Sequence, residues 1–159
     1  MAETMELPAR PDMDRVRAKT ADKINERIDE QTIEHLCNYV GLSNEMISRR
    51  IAELDREWDI ERWLEANASS IAFAGVLMGI VGKRKWLMVP AVVLPFLFLH
   101  ATQGWCPPVP LLRRFAVRTR NEIDAEKYAL KLLRGDFDGI PNILDETLRA
   151  VEAFNACAT

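Results

Sequence analysis

The sequence predicts an all-α protein built on a two-span transmembrane helical hairpin, with amphipathic helical arms on both sides. Three observations carry that expectation. No residue from Ala66 to Gly82 is charged, Lys83-Arg84-Lys85 then interrupts, and no residue from Trp86 to Leu112 is charged. Charge is segregated: residues 1–65 hold ten Lys/Arg against sixteen Asp/Glu, the hairpin holds three basic residues and no acid, and 113–159 holds eight of each. The net charge of −3 therefore hides polar arms around an apolar centre. Outside that centre, apolar residues recur at helical steps. Four regions follow: a loose N-terminus (1–13), a helical arm with an interfacial helix (14–65), the hairpin with a Cys-Pro anchor (66–112), and C-terminal helices (113–159).

Composition also excludes function classes. No region is basic enough to predict a nucleic-acid partner. Cys37, Cys106 and Cys157 lie far apart without C-x-x-C spacing, so neither a zinc site nor a dithiol motif is readable, and the odd count favours reduced thiols. No cofactor motif and no catalytic constellation is present. Met1 to Arg15 has prolines and charges but no apolar core of a signal peptide, so insertion is expected to be directed by the hairpin itself.

Pro8, Pro11 and several charges leave residues 1–13 little to bury. From about Asp14 a helix is expected, with Ile24, Ile28, Ile33, Leu36, Cys37 and Val40 on one face and Gly41 as its stop. Ser43 offers an N-cap for a second helix bearing Met46, Ile47, Ile51 and Leu54. Together they form a helical hairpin, which also has the outline of a helix-turn-helix. In that reading Asn44, Ser48, Arg49 and Arg50 would face DNA; in the plainer one the arginines form a solvated face or meet lipid phosphates. Excess acid in this arm opposes the DNA reading. Trp58 and Trp63 then fit an interfacial helix capped by Asp59.

The first span is short, about 25 Å at 1.5 Å per residue, and begins with polar Asn67, Ser69 and Ser70. Ala68, Ala72, Gly75, Gly79 and Gly82 fall on one stripe of it, a surface that lets backbones approach within lipid, either to the second span or to another copy in a homo-oligomer. The KRK turn makes the spans antiparallel neighbours. Eight arginines near the outer ends (Arg49, Arg50, Arg56, Arg62, Arg113, Arg114, Arg118 and Arg120) against three basic residues in the turn predict that both termini are cytoplasmic and the turn external. The second span runs from Trp86 to Trp105, an indole at each face, with Trp63 and Trp86 flanking the first. Pro90 sits in its first turn, and Pro95 should kink it. His100 is an ionisable group in a span and so a functional candidate, set against a neutral histidine hydrogen-bonded near the interface.

Gly104 should end the second span, and the three prolines that follow suggest an extended segment. There Trp105 and Leu111-Leu112 dip into the interface while Arg113 and Arg114 hold lipid phosphates. Cys106 lies within reach of those arginines, which would favour its thiolate; a buried structural cysteine is the competing reading. Thr119-x-x-Glu122 is a capping box opening a helix to about Arg134, with Gly135 as stop. Pro141 is placed to open a last helix with Ile143, Leu144, Leu148, Val151 and Phe154 as its apolar face. Asp136, Asp138, Asp145 and Glu146 match no metal-loop spacing and read as solvated acids.

The uncharged hairpin followed by Gly104-x-Cys106-Pro107 and Leu112-x-x-Phe115-Ala116-Val117-x-Thr119 resembles the YgaP-like transmembrane domain, over about Asp59 to Thr119. The resemblance implies a bacterial cytoplasmic-membrane hairpin that can dimerise, alone or joined to cytosolic modules such as a rhodanese domain, which this chain lacks. Ala116 stands where that family usually has Gly, a departure that bears on the local turn. The expected function is a non-enzymatic scaffold, adaptor or oligomerising anchor for a cytoplasmic protein. A thiol- or sulfur-handling protein using Cys106 with His100, and a membrane-tethered helix-turn-helix regulator, are the alternatives.

Overall fold

The computed structural model describes residues 14–143 and 145–158; the expected loose segment 1–13, and Leu144 from the last apolar face, lie outside them. The described residues are all-helical, without strands: α1 (Asp22–Tyr39), α2 (Asn44–Leu54), α3 (Ile60–Val81), α4 (Met88–Gln103), α5 (Val109–Arg114), α6 (Arg120–Arg134) and α7 (Glu146–Ala158), with short 3₁₀ turns at Arg17–Lys19, Arg84–Leu87 and Ile140–Asn142.

The first expected helix is two pieces. Asp14 Oδ1 accepts the amides of Val16 and Arg17 and starts a 3₁₀ turn, and α1 begins only at Asp22. Its buried face is mostly polar, with Asn25, Asp29 and Thr32 around Ile28, while Cys37 and Val40 are exposed. The reason is what α1 faces: arginines rather than hydrocarbon, as shown below. α2 follows Gly41 and buries Ile47, Ile51 and Leu54 against Ile123 and Leu130 of α6, with Leu36 and Tyr39 alongside. Ser43 holds the N-cap position without a side-chain hydrogen bond, and Met46 is exposed.

α3 runs unbroken from Ile60 to Val81, so the expected boundary between an interfacial helix and the first span is absent. Asp59 caps it by accepting the Arg62 amide at 2.8 Å. The polar residues at its middle do not interrupt it because they bond back onto their own helix, Asn67 to the Trp63 carbonyl and Ser70 to that of Ala66. Its 22 residues reach about 33 Å, more than the uncharged run alone suggested. α3 and the stretch Arg84–Gln103 are both long and apolar enough to cross a membrane.

α4 carries Pro95 inside it and ends at Gly104. Gly104 is obligatory twice over. Its φ of +72° is left-handed, and a Cβ there would sit 2.5 Å from the backbone of Arg15. The expected extended segment after it is instead the short helix α5, since Pro108 precedes that helix and Pro110 occupies its first turn, where no intrahelical N–H is needed. Ala116 then turns the chain at φ 57°, a left-handed conformation uncommon for a residue with a Cβ. α6 begins with the complete Thr119/Glu122 capping box and stops at Gly135.

The last helix opens later than expected. Pro141 belongs to a 3₁₀ turn, and Asp145 starts α7 by accepting the Leu148 amide at 2.9 Å. That makes Asp145 a cap rather than a merely solvated acid; Asp136 is likewise paired with Arg134. α7 touches the rest of the chain where Lys131 Nζ donates to the carbonyls of Ala156 and Cys157, and it leaves Leu148, Val151 and Phe154 exposed.

Candidate functional site

Where α3 begins and α4 ends, the segment 14–16 and the start of α6 line a cleft of about 400 Å³ with both polar and apolar walls. A second small apolar core underlies this region, made by Val16, Ile60, Leu64, Cys106 and Val109. The Ile60 amide, bonded to the Arg118 carbonyl at 2.9 Å, ties α3 to the linker before α6. Asp14, Arg15, Glu61, Glu65, His100 and Asn121 supply the polar wall, and Val16, Leu97 and Ala101 part of the apolar one. Arg15 donates to the Ala101 carbonyl, and the Asp14 carboxylate accepts from Thr119 Oγ1. Two buried polar atoms here have no protein partner: Glu61 Oε2 and His100 Nδ1. A lone neutral histidine satisfied by a hydrogen bond was the plainer expectation, and its Nδ1 lacks one.

Beneath the cleft, α6 presents Glu122 and Glu126, one turn apart and fully buried, and each carboxylate takes two arginines. Glu122 receives both terminal nitrogens of Arg113, at 2.7 and 2.8 Å, and Arg17 at 2.8 Å. Arg113 also reaches Asn25 Oδ1 at 2.9 Å, and Arg17 pairs with Asp29. This is why α1 buries polar residues. Glu126 receives Arg50, at 2.9 and 3.0 Å, and Arg118, which also grips Glu57. Burial alone would push the Glu122 carboxyl up, but the hydrogen bonds and charge of Arg113, with the Thr119 amide and Arg17, hold it below the usual carboxylate range.

Arg113 is therefore not a lipid-phosphate anchor: it is fully buried and bonded to protein. Arg114 is exposed, and its carbonyl accepts from Arg27. Trp63, Trp86 and Trp105 are partly exposed, with Trp63 edge-on to Trp58 at 5.2 Å and Arg62 over the Trp58 ring. Cys106 is buried, and burial pushes its thiol up, so the thiolate is not favoured as proximity to arginines had suggested. Of the two arginines, Arg113 is committed to Glu122.

On the small-residue stripe, Ala72, Gly75 and Gly79 are buried. A Cβ on Gly75 would lie 2.7 Å from Pro90 Cδ, and one on Gly79 2.5 Å from Leu87 Cδ2, so the centre of the stripe is occupied within the chain. Ala68 is half-buried, and Gly82 ends the helix in the open. Of the residues in the helix-turn-helix reading, Arg50 and Ser48 are engaged by Glu126 and Arg134, which leaves Asn44 and Arg49 on the open face. Among the described residues no group of three or more His, Cys, Asp or Glu could hold a metal ion.

Sequence reasoning missed Glu61, Glu65 and the Glu122/Glu126 pair as site builders. The signal was there for the last two: acids four residues apart on α6 share the face of Ile123 and Leu130. Comparison of the chain with family models, curated proteins and solved structures gives no match.

Proposed function

We propose that this chain is a two-span protein of the cytoplasmic membrane, with both termini in the cytoplasm, that serves as a non-enzymatic anchor or scaffold for a cytoplasmic protein. The observation that carries the reading is how little of the apolar helices the protein covers. Only 22% of the apolar window of α3 and 11% of that in Arg84–Gln103 is buried, leaving Phe73, Ile80, Val81, Met88 and Phe98 bare. A core helix of a water-soluble protein buries such a window, whereas lipid needs no cover. The resemblance of Asp59–Thr119 to the YgaP-like transmembrane domain supports the same reading. The exposed apolar residues of α7 favour a scaffold, because a helix that its own chain leaves uncovered is available to a partner. Burial of Cys106 and engagement of Arg50 and Ser48 take support away from the thiol and DNA-binding alternatives.

A Lys85→Cys variant, with Cys37 and Cys157 changed to Ser, tests the location. The chain should resist alkaline carbonate extraction, and an impermeant maleimide should label residue 85 from outside intact cells. Carbonate release would refute the membrane reading; retention with labelling only from the cytoplasmic side would invert the orientation. For the scaffold, removal of residues 144–159 should strip a cytoplasmic protein from the detergent-solubilised complex and leave insertion intact. An unchanged set of co-purifying proteins would contradict it.

A further inference from the structure

We infer that the cleft between the start of α3 and the end of α4 is a binding site for a primary ammonium group carried on a small aliphatic molecule. The sign of the ligand follows from the wall: Glu61, Glu65 and Asp14 outnumber Arg15, so an anion is repelled. The helix ends do not change this, because Arg15 already donates to the Ala101 carbonyl at the end of α4 and Asp59 already answers the positive end of α3. Hydrogen-bond demand points the same way. Glu61 Oε2 is a buried acceptor with no partner, and His100, 7% exposed and part of the same wall, keeps an unpartnered buried Nδ1 that accepts in one neutral tautomer. An ammonium group brings N–H donors to Glu61 and His100, while the exposed Glu65 on the same wall adds its charge. A metal ion does not suit the site, since among the described residues no three such ligands converge. About 400 Å³ with Leu97 on one side instead suits a molecule with a short aliphatic part.

This chemistry has two sources, a soluble aliphatic amine or the headgroup of an ethanolamine phospholipid. The inference goes beyond the scaffold reading, and its soluble-amine arm holds whether or not the chain spans a membrane. The full chain, labelled with ¹⁵N-histidine in detergent micelles, is titrated with 1,5-diaminopentane while the imidazole resonances are followed. Only two histidines are present, and His35 is exposed, so it serves as the internal control.

A saturable shift of His100 with His35 unmoved is expected. In Glu61→Gln, and separately in the more exposed Glu65→Gln, the apparent Kd should rise about tenfold. Tetramethylammonium, which has the charge but no N–H, should not reproduce the shift. The second arm places the chain in phosphatidylcholine nanodiscs with and without phosphatidylethanolamine. A His100 response to the diamine assigns a soluble amine, and a response only to phosphatidylethanolamine assigns the headgroup. Silence in both arms, an equal effect of tetramethylammonium, or binding unaltered in both glutamine variants would overturn the inference.

Discussion

Between α3 and α4 the contact is made by side chains that are missing: Ala72, Gly75 and Gly79 leave room for Leu87, Val89 and Pro90 to close on the helix backbone. Around α6 the contact is made by side chains that are charged, with Glu122 and Glu126 each clamped by two arginines from elsewhere in the chain. On the membrane reading proposed above, the difference follows from solvent. In lipid no hydrophobic drive pushes helices together, so shape and dispersion decide the pairing. In water an arm with few buried apolar residues gains registry from ion pairs, whose directional geometry tolerates few alternative arrangements. Shape complementarity fails when something is added; an ion-pair lattice fails when one partner is removed.

The largest expected effect comes from removal. Glu122→Gln leaves the fully buried Arg113 without its carboxylate, while Arg17 keeps Asp29, and should cost about 3–5 kcal/mol, as loss of one partner of a buried pair does. Urea unfolding followed by circular dichroism should lose the cooperative transition of the arm while the helicity of α3 and α4 persists. Acid should act on the same point. The Glu122 carboxyl is held below its ordinary range in the folded chain, so its stabilising contribution is complete above the unfolded value of about 4.3 and is lost as pH falls through the lower folded one. Midpoints measured from pH 7 downward should be flat to about pH 5 and then fall. Glu122→Gln should flatten that fall.

Addition is the next test. Gly79→Leu drives a side chain into Leu87 and should cost about 1–3 kcal/mol of α3–α4 pairing, read as faster proteolysis of the Lys83–Lys85 turn. The arm's urea midpoint should not move. The smallest effect is a gain: Ala116→Gly relieves a φ of 57° and should stabilise the arm by about 0.5–1 kcal/mol in the same urea experiment.

What could be read in the sequence divides along similar lines. The Asp59 cap, the Thr119/Glu122 box and the glycine stops at 41, 104 and 135 are local, fixed by a few neighbouring residues, and all hold those positions in the structure. The pair Arg113-Arg114 after an apolar run reads as an interface anchor; Glu122, which takes Arg113, is only nine positions on but already has a role in the capping box, and Asn25, which completes the contact, is 88 positions away. α5 was missed because clustered prolines suggest extended chain, although a first helical turn accepts them. The cleft was not legible at all: Asp14, Glu61 and His100 converge only once α3, α4 and the N-terminal segment are assembled.

The central claim is that lipid is the solvent for the outer faces of α3 and α4. Nitroxide labels placed singly at Phe73, Leu77, Ile80 and Phe98 in nanodiscs, with relaxation by oxygen compared with relaxation by a water-soluble nickel chelate, test it most directly. The account predicts high oxygen and low nickel accessibility at all four. Nickel access matching oxygen access would put these faces in water, and low access to both would put them against protein; either result contradicts the account.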